Sequence, residues 1–259
     1  MYAQAVFRIV ASFAAAAILS GCTSTGRFVY DESNDKNSLV RFTEEAVKKR
    51  VAVLPFTDRR QLSRNDLIDE TGTRVESVGS ENMMLLGFVP LVPLGYVTSE
   101  RPENSGDFIT LGAYHFEVAN DLSAAAALSL RHSKLFSKVT TSRSAEEAGK
   151  VDYLFIGELQ KASYKGLLFS YGVTYFVAPA LWLFGAPQGR SSNELELKFS
   201  LLERQSGRSL WSYNYRGTDS VNHFLYGEPG TDVSKFSALT REALNSALRD
   251  LSSKRALFK

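Results

Sequence analysis

Alternating and helical apolar positions divide much of the chain into a short series of elements. In KKRVAVLPFTD, Val51, Val53 and Pro55 alternate with Ala52, Leu54 and Phe56. Both faces are therefore apolar, the pattern of a buried strand. EVANDLSAAAALSLRHSKLF sets Val118, Leu122, Ala125 or Ala126, Ser129 and Leu130 on one helical stripe. Asp121 near its start and Arg131, His132 and Lys134 near its end complement the helix dipole. SKVTTS predicts a short strand, RSAEEAG a short helix stopped at Gly149, and VDYLFIGELQKASY a long apolar-rich strand. Two alternating runs on either side of Gln205-Ser206-Gly207-Arg208 predict a β-hairpin. Leu195, Leu197, Phe199 and Leu201 line the first run, while Leu210, Ser212 and Asn214 stand opposite Trp211, Tyr213 and Tyr215 in the second. The last segment is helical: Val233, Phe236, Leu239, Ala243, Leu244, Ala247, Leu248 and Leu251 share a stripe, with Asp232 as the candidate N-cap.

Helices bracketing strands in this order predict an α/β fold of the two-layer α+β kind, a largely antiparallel sheet with helices packed on one face. One domain over residues 50–259 accommodates these elements, with two apolar insertions near 82–99 and 166–189. Neither NMMLLGFVPLVPLGYVTS nor GLLFSYGVTYFVAPALWLFGAPQG contains a charge. About 20 apolar residues suffice for a membrane-spanning helix. In the second insertion, however, Gly172, Pro179, Gly185 and Pro187 interrupt the run and Ser170 and Thr174 dilute it. Its first half alternates like a strand, with Leu167, Phe169, Tyr171, Val173, Tyr175 and Val177 on one face. Uncharged apolar stretches of this size rarely stay in water. The insertions either bury each other against the domain, rest on lipid or fill a partner's groove. Leu85, Leu86, Phe88, Leu168, Phe169, Tyr171, Leu181, Trp182 and Phe184 are the candidate membrane or partner contacts.

The amino-terminal end has a different pattern. Arg8 is the sole charge before the apolar run IVASFAAAAIL, which leads into Leu19-Ser20-Gly21-Cys22. The run has the parts of a secretory signal and is too short for an ordinary span. Leu19, Ser20, Gly21 and Cys22 resemble the lipobox of bacterial lipoproteins. That resemblance implies a signal peptide over residues 1–21, cleavage before Cys22, and acylation of the Cys22 thiol and then of the new amino group. Two or three acyl chains hold a protein to a membrane far more durably than one. TSTGRFVYDESNDKNSLVRF, polar and without sustained period, then reads as part of a flexible tether over residues 22–49. About twenty such residues reach roughly 25 Å. Thr23 does not match the Asp that retains lipoproteins in the inner membrane. By resemblance, then, the anchor is placed in the outer membrane of a Gram-negative host, with the domain facing the periplasm.

Composition narrows the chemistry. A formal charge of +2 over 259 residues offers no broad attraction to nucleic acid. Cys22 is the only cysteine, so once it is acylated no thiol remains for a disulfide, a metal site or a nucleophile. His115, His132 and His223 are scattered without metal-ligand spacing, and no serine sits in a nucleophile elbow. Glu146 and Glu147 are adjacent, a spacing that points them apart on a helix. Arg59-Arg60 and Lys48-Lys49-Arg50 are short basic clusters that read as solvated surface charge, with approach to anionic lipid head groups as the alternative. No phosphate-binding glycine loop is present. The expectation is of no catalytic residues, no metal and no cofactor.

VAVLPFTD, the helix ending in SKLFSKV, the strand DYLFIGEL and the hairpin around SGRSLW follow an order that resembles the α/β domain of the curli-secretion-channel and Tol-type envelope proteins. The resemblance covers about residues 50–56 and 110–252, and is closer still to lipoproteins with similar apolar insertions. It implies a non-catalytic binding or assembly module of the envelope, held to lipid through acylated Cys22 beside an envelope protein partner. A homo-oligomeric secretion pore is the alternative it leaves open. Against a pore, Leu85–Tyr96 is shorter and more proline-broken than a pair of barrel strands requires. Replacement of Cys22 by serine is expected to abolish both acylation and cleavage before residue 22. Intact mass of the extracted protein checks this, and a processed, acylated form of the variant would contradict it.

Overall fold

A computed structural model describes residues 26–27, 39–60, 93–99, 114–115, 118–169, 178–226 and 234–258. In chain order the elements are β1 (Gly26–Arg27), β2 (Val47–Val53), β3 (Thr57–Asp58), β4 (Pro93–Ser99), β5 (Tyr114–His115), α1 (Val118–Ser133), β6 (Phe136–Thr141), β7 (Tyr153–Phe169), α2 (Ala178–Leu183), β8 (Gly189–Glu203), β9 (Ser209–His223), α3 (Ser234–Ser253) and a closing 3-10 turn (Arg255–Phe258).

The predicted two-layer α/β arrangement is present. The main sheet follows the order β6-β2-β7-β8-β9. β2, β3 and β4 take successive positions along the other edge of β7. The sheet is mixed, where the sequence pattern predicted a largely antiparallel one. β2 pairs in parallel with both β6 and β7, and β3 in parallel with β7. The cause lies in α1, a crossover helix that returns the chain to the starting end of β2 so that β6 runs alongside it. β4–β7, β7–β8 and β8–β9 are antiparallel. β1 and β5 form a separate parallel pair.

One face of the sheet carries the core. Leu195, Leu197, Phe199 and Leu201 of β8 are fully buried, as are Leu122, Ala126 and Leu130 of α1 and Ala243, Leu244, Ala247 and Leu251 of α3. The predicted stripes thus face the sheet. Asp232 and Val233 lie outside the described residues. Phe155 packs between Phe199 and Trp211, with ring centroids 5.9 and 6.3 Å away. The Trp211 indole donates to Asp250 Oδ2 at 2.7 Å, fastening the hairpin to α3. Ordered contacts begin before residue 50. Phe42 N–H donates to the Ser133 carbonyl, Val40 N–H to Asn245, and Arg255 to Glu44 at 2.6 Å while its guanidinium stacks over Phe42.

One local reading changes. RSAEEAG is a turn rather than a short helix. One helical turn carries the nucleation cost without the propagation that offsets it. Ser144 Oγ instead accepts from Glu147 N–H at 3.3 Å, and Gly149 ends the turn at φ 65°. Lys134, near the helix end as read, follows the last residue of α1 in the left-handed conformation, φ 55°.

β7 stays in register along its length through one irregularity between Leu159 and Lys161. Leu159 faces the core, fully buried, and after the extra residue Gln160 so does Ala162, while Lys161 is partly exposed. Without the bulge the strand's later half would present its opposite face to the core. At Gly157 the buried Phe56 ring covers the backbone so closely that an added Cβ would fall inside it. Gly157→Ala is therefore expected to destabilise the fold by about 1–3 kcal/mol through overpacking, read as a lower urea midpoint with an unchanged slope.

Candidate docking tip

β7 and β8 remain paired well beyond the helical layer, to Leu168 opposite Gly189, and β9 follows to His223 opposite Gly189. Past Ala162, the last core residue of β7, this arm extends from Ser163 to Phe169, about 20 Å at ~3.3 Å per residue. Its other edge is β4, so the described parts of the two uncharged insertions meet: Pro93–Ser99 pairs with Tyr164–Phe169.

The outer face of the shaft is wet. Lys161 Nζ and Arg216 Nη2 each reach Glu194 at 2.7 Å, and Arg216 Nε reaches Glu196 at 3.2 Å. The hydrogen bond from Lys161 is the leading reason that the Glu194 carboxyl is held below its ordinary range. Partial burial opposes it, and the charge of Lys161 and the contact with Arg216 reinforce it. On the other face the arm holds a polar pair that sequence reading missed, since its members stand 32 residues apart: Ser191 Oγ and His223 Nε2 lie 2.6 Å apart. Both are buried. Closed off from solvent, the pair fastens β8 to β9.

At the end of the arm the chemistry changes. α2 is closed by a Schellman motif, in which Ala186 N–H donates to the Leu181 carbonyl and Gly185 N–H to the Trp182 carbonyl, each at 3.0 Å. Gly185 takes the left-handed conformation this cap needs, φ 89°. The glycine that interrupts the apolar run is thus a helix stop. Phe169 N–H donates to the Gln188 carbonyl at 2.9 Å and Gln188 N–H to the His223 carbonyl at 2.7 Å. The Tyr226 hydroxyl donates to the Leu183 carbonyl at 3.1 Å. Two segments some forty residues apart therefore form one tip. Phe184 is 88 % exposed and Tyr226 73 %, with Leu183, Phe224 and Leu225 also exposed.

Of the residues singled out from sequence, Phe169, Leu181 and Trp182 are half-buried at this tip and Phe184 projects from it. Leu168 is placed by its backbone, opposite Gly95 and Gly189. Leu19, Ser20, Gly21, Cys22, Leu85, Leu86, Phe88 and Tyr171 lie outside the described residues. Leu183 falls within the second insertion, whereas Phe224, Leu225 and Tyr226 lie outside both insertions. The signal was present as Phe224-Leu225-Tyr226, three apolar residues in a row just past the alternating strand.

No family model and no curated protein matches the chain. Among solved structures it is similar to a protein from Xanthomonas campestris, at 12% identity and TM-score 0.39 over 83% of this chain and 87% of the other. It is also similar to the PelC dodecamer from Paraburkholderia phytofirmans, at 11% and 0.34 over 80% and 92%. A minor lipoprotein from Acinetobacter baumannii matches at 10% and 0.24 over 81% and 91%. At scores this low, function has to be read from this chain's own residues.

The lowered Glu194 pKa sets a pH dependence. Its ion pairs stabilise the fold above the ordinary glutamate value of about 4.3, and the contribution is lost as pH falls through the lowered value in the folded protein. Glu194→Gln is expected to cost up to about 1 kcal/mol at pH 7. That difference should disappear in strong acid when the two urea curves are compared.

Proposed function

We propose that this chain is a lipid-anchored envelope lipoprotein that acts as a non-catalytic binding or assembly module, with the arm tip as its membrane or partner contact. Acylated Cys22 holds it to the outer membrane with the domain in the periplasm, beside an envelope protein partner. The observation that carries the reading is the contrast along one arm: a shaft solvated by ion pairs ends in an uncharged, exposed apolar tip. Exposed apolar groups gathered in one place mark an interaction surface. A long antiparallel ladder presents that surface at a fixed distance from the body, which a loop does not do. Anchoring then confines the module to two dimensions and raises its effective concentration at the partner without new contacts.

The resemblance to curli-channel-type domains supports a second reading, a subunit of an oligomeric outer-membrane pore. One observation favours it: the two uncharged insertions pair as antiparallel strands, the arrangement a barrel hairpin uses. Native mass after detergent extraction separates the two. A monomer or small oligomer is expected. A large uniform ring with conductance in planar bilayers would replace the module reading with the pore.

A further inference from the structure

Five of the six exposed large apolar side chains among the described residues gather at the tip, and only Leu257 stands apart. We propose that this tip seats in the interfacial layer of the same bilayer that holds the acyl anchor, a step that rests on the reading of Cys22 as the lipidated residue. The chemistry of the tip fits that layer. Residues 166–189 and 221–227 contain no charge, and the tip presents Trp182, Phe184, Phe224 and Tyr226, the aromatic types that settle at membrane interfaces. The Trp182 Nε1 donor is buried without a hydrogen-bond partner. Protein interfaces carry roughly one hydrogen bond per 100–200 Å². The Tyr226 hydroxyl is already committed to the Leu183 carbonyl, which leaves the apolar side chains of the tip little with which to specify a protein groove.

Charge is zoned along the arm in the same sense. Exposed Arg190 stands at the neck and donates to Ser220 at 2.7 Å, followed by the Lys161, Glu194 and Arg216 network. Apolar groups thus come first, a cation next and a solvated shaft last, the order met on leaving the acyl region through the headgroups. α2 is six residues long, about 9 Å at 1.5 Å per residue. That is far too short to span a bilayer.

The anchor, finally, is held to the body by chain length. β1 pairs with β5, and α1 starts three residues after β5. The carbonyl of Ala119, in the first turn of α1, accepts from Phe56 N–H, and Phe56 lies on Gly157 of β7, the strand that continues into the arm. Cys22 precedes Gly26 by four residues, at most about 14 Å of chain. Chain length thus keeps the anchor within reach of the body that bears the arm, and an arm inclined to the bilayer brings tip and anchor to one surface.

Trp182 and Trp211 are the only tryptophans, and Trp211 is buried in the body, so changes in emission on quenching report on the tip. The processed lipoprotein is reconstituted into phosphatidylethanolamine and phosphatidylglycerol vesicles and floated on a density gradient. Its emission is then compared with and without phosphatidylcholine brominated near the headgroup or deep in the acyl chain. The expected result is flotation with emission cut by about half, more by shallow bromines than by deep ones, as interfacial depth requires. Trp182→Phe should abolish the quenching, and Leu183→Asp with Phe184→Asp should abolish it while preserving flotation and Trp211 emission. Flotation without quenching would overturn the tip proposal and leave the anchor standing. Failure to float would overturn both, and quenching that persists in Trp182→Phe would overturn the proposal as well.

Discussion

The backbone ladder between β7 and β8 is the interaction on which the rest of the structure depends. It runs from Tyr153 opposite Glu203 to Leu168 opposite Gly189, and within that length it serves two purposes. Its first part is the centre of the body, where β2 joins one edge and both helices cover the buried face. Its second part leaves the helices behind and becomes an arm. The single bulge at Gln160 lets one strand do both. It absorbs the break in alternation between Leu159 and Ala162, so that the buried face stays buried and Lys161 turns to Glu194 in solvent.

Tip and shaft are built on opposite physical terms. Along the shaft, Glu194 is shared by Lys161 and Arg216, pairs that contribute little to stability but keep the outer sheet face hydrated and unattractive to other strands. At the tip the backbone satisfies itself through the cap at Gly185 and the chain of bonds through Gln188 and His223. Of the exposed large side chains of the tip only Tyr226 carries a polar group, and its hydroxyl donates to the Leu183 carbonyl. Unmet polar groups would oppose entry into an apolar phase, and their scarcity on the exposed surface makes an apolar contact surface workable.

Much of the body was legible in the alternation. The strand at Val51–Val53, the helix with Leu122, Ala126 and Leu130, the hairpin about Gly207 and the helix carrying Leu244 and Leu248 all lie where their periodicity put them. The direction of β2 was not legible. Alternation at Val51 and Val53 is the same whichever way a neighbour runs, and it took the return path of α1 to make the pairing parallel. RSAEEAG has helix-forming residues but no partner face, and with nothing to repay nucleation it closed as a turn. Gly185 and Pro187 were read as breaks in an apolar run. They are the cap that ends α2 and the first step back into β8.

The sequence by itself determined which apolar faces of the regular elements would be buried, because a period of two or 3.6 states which face must leave water. It also marked the chain's uncharged stretches and its one cysteine. Tertiary structure decided what those stretches became. Leu183 and Tyr226 are neighbours only because the β8–β9 hairpin, thirty-five residues from end to end, returns to the level at which it began. No local pattern encodes that return. It follows from register, and register is a property of two strands together.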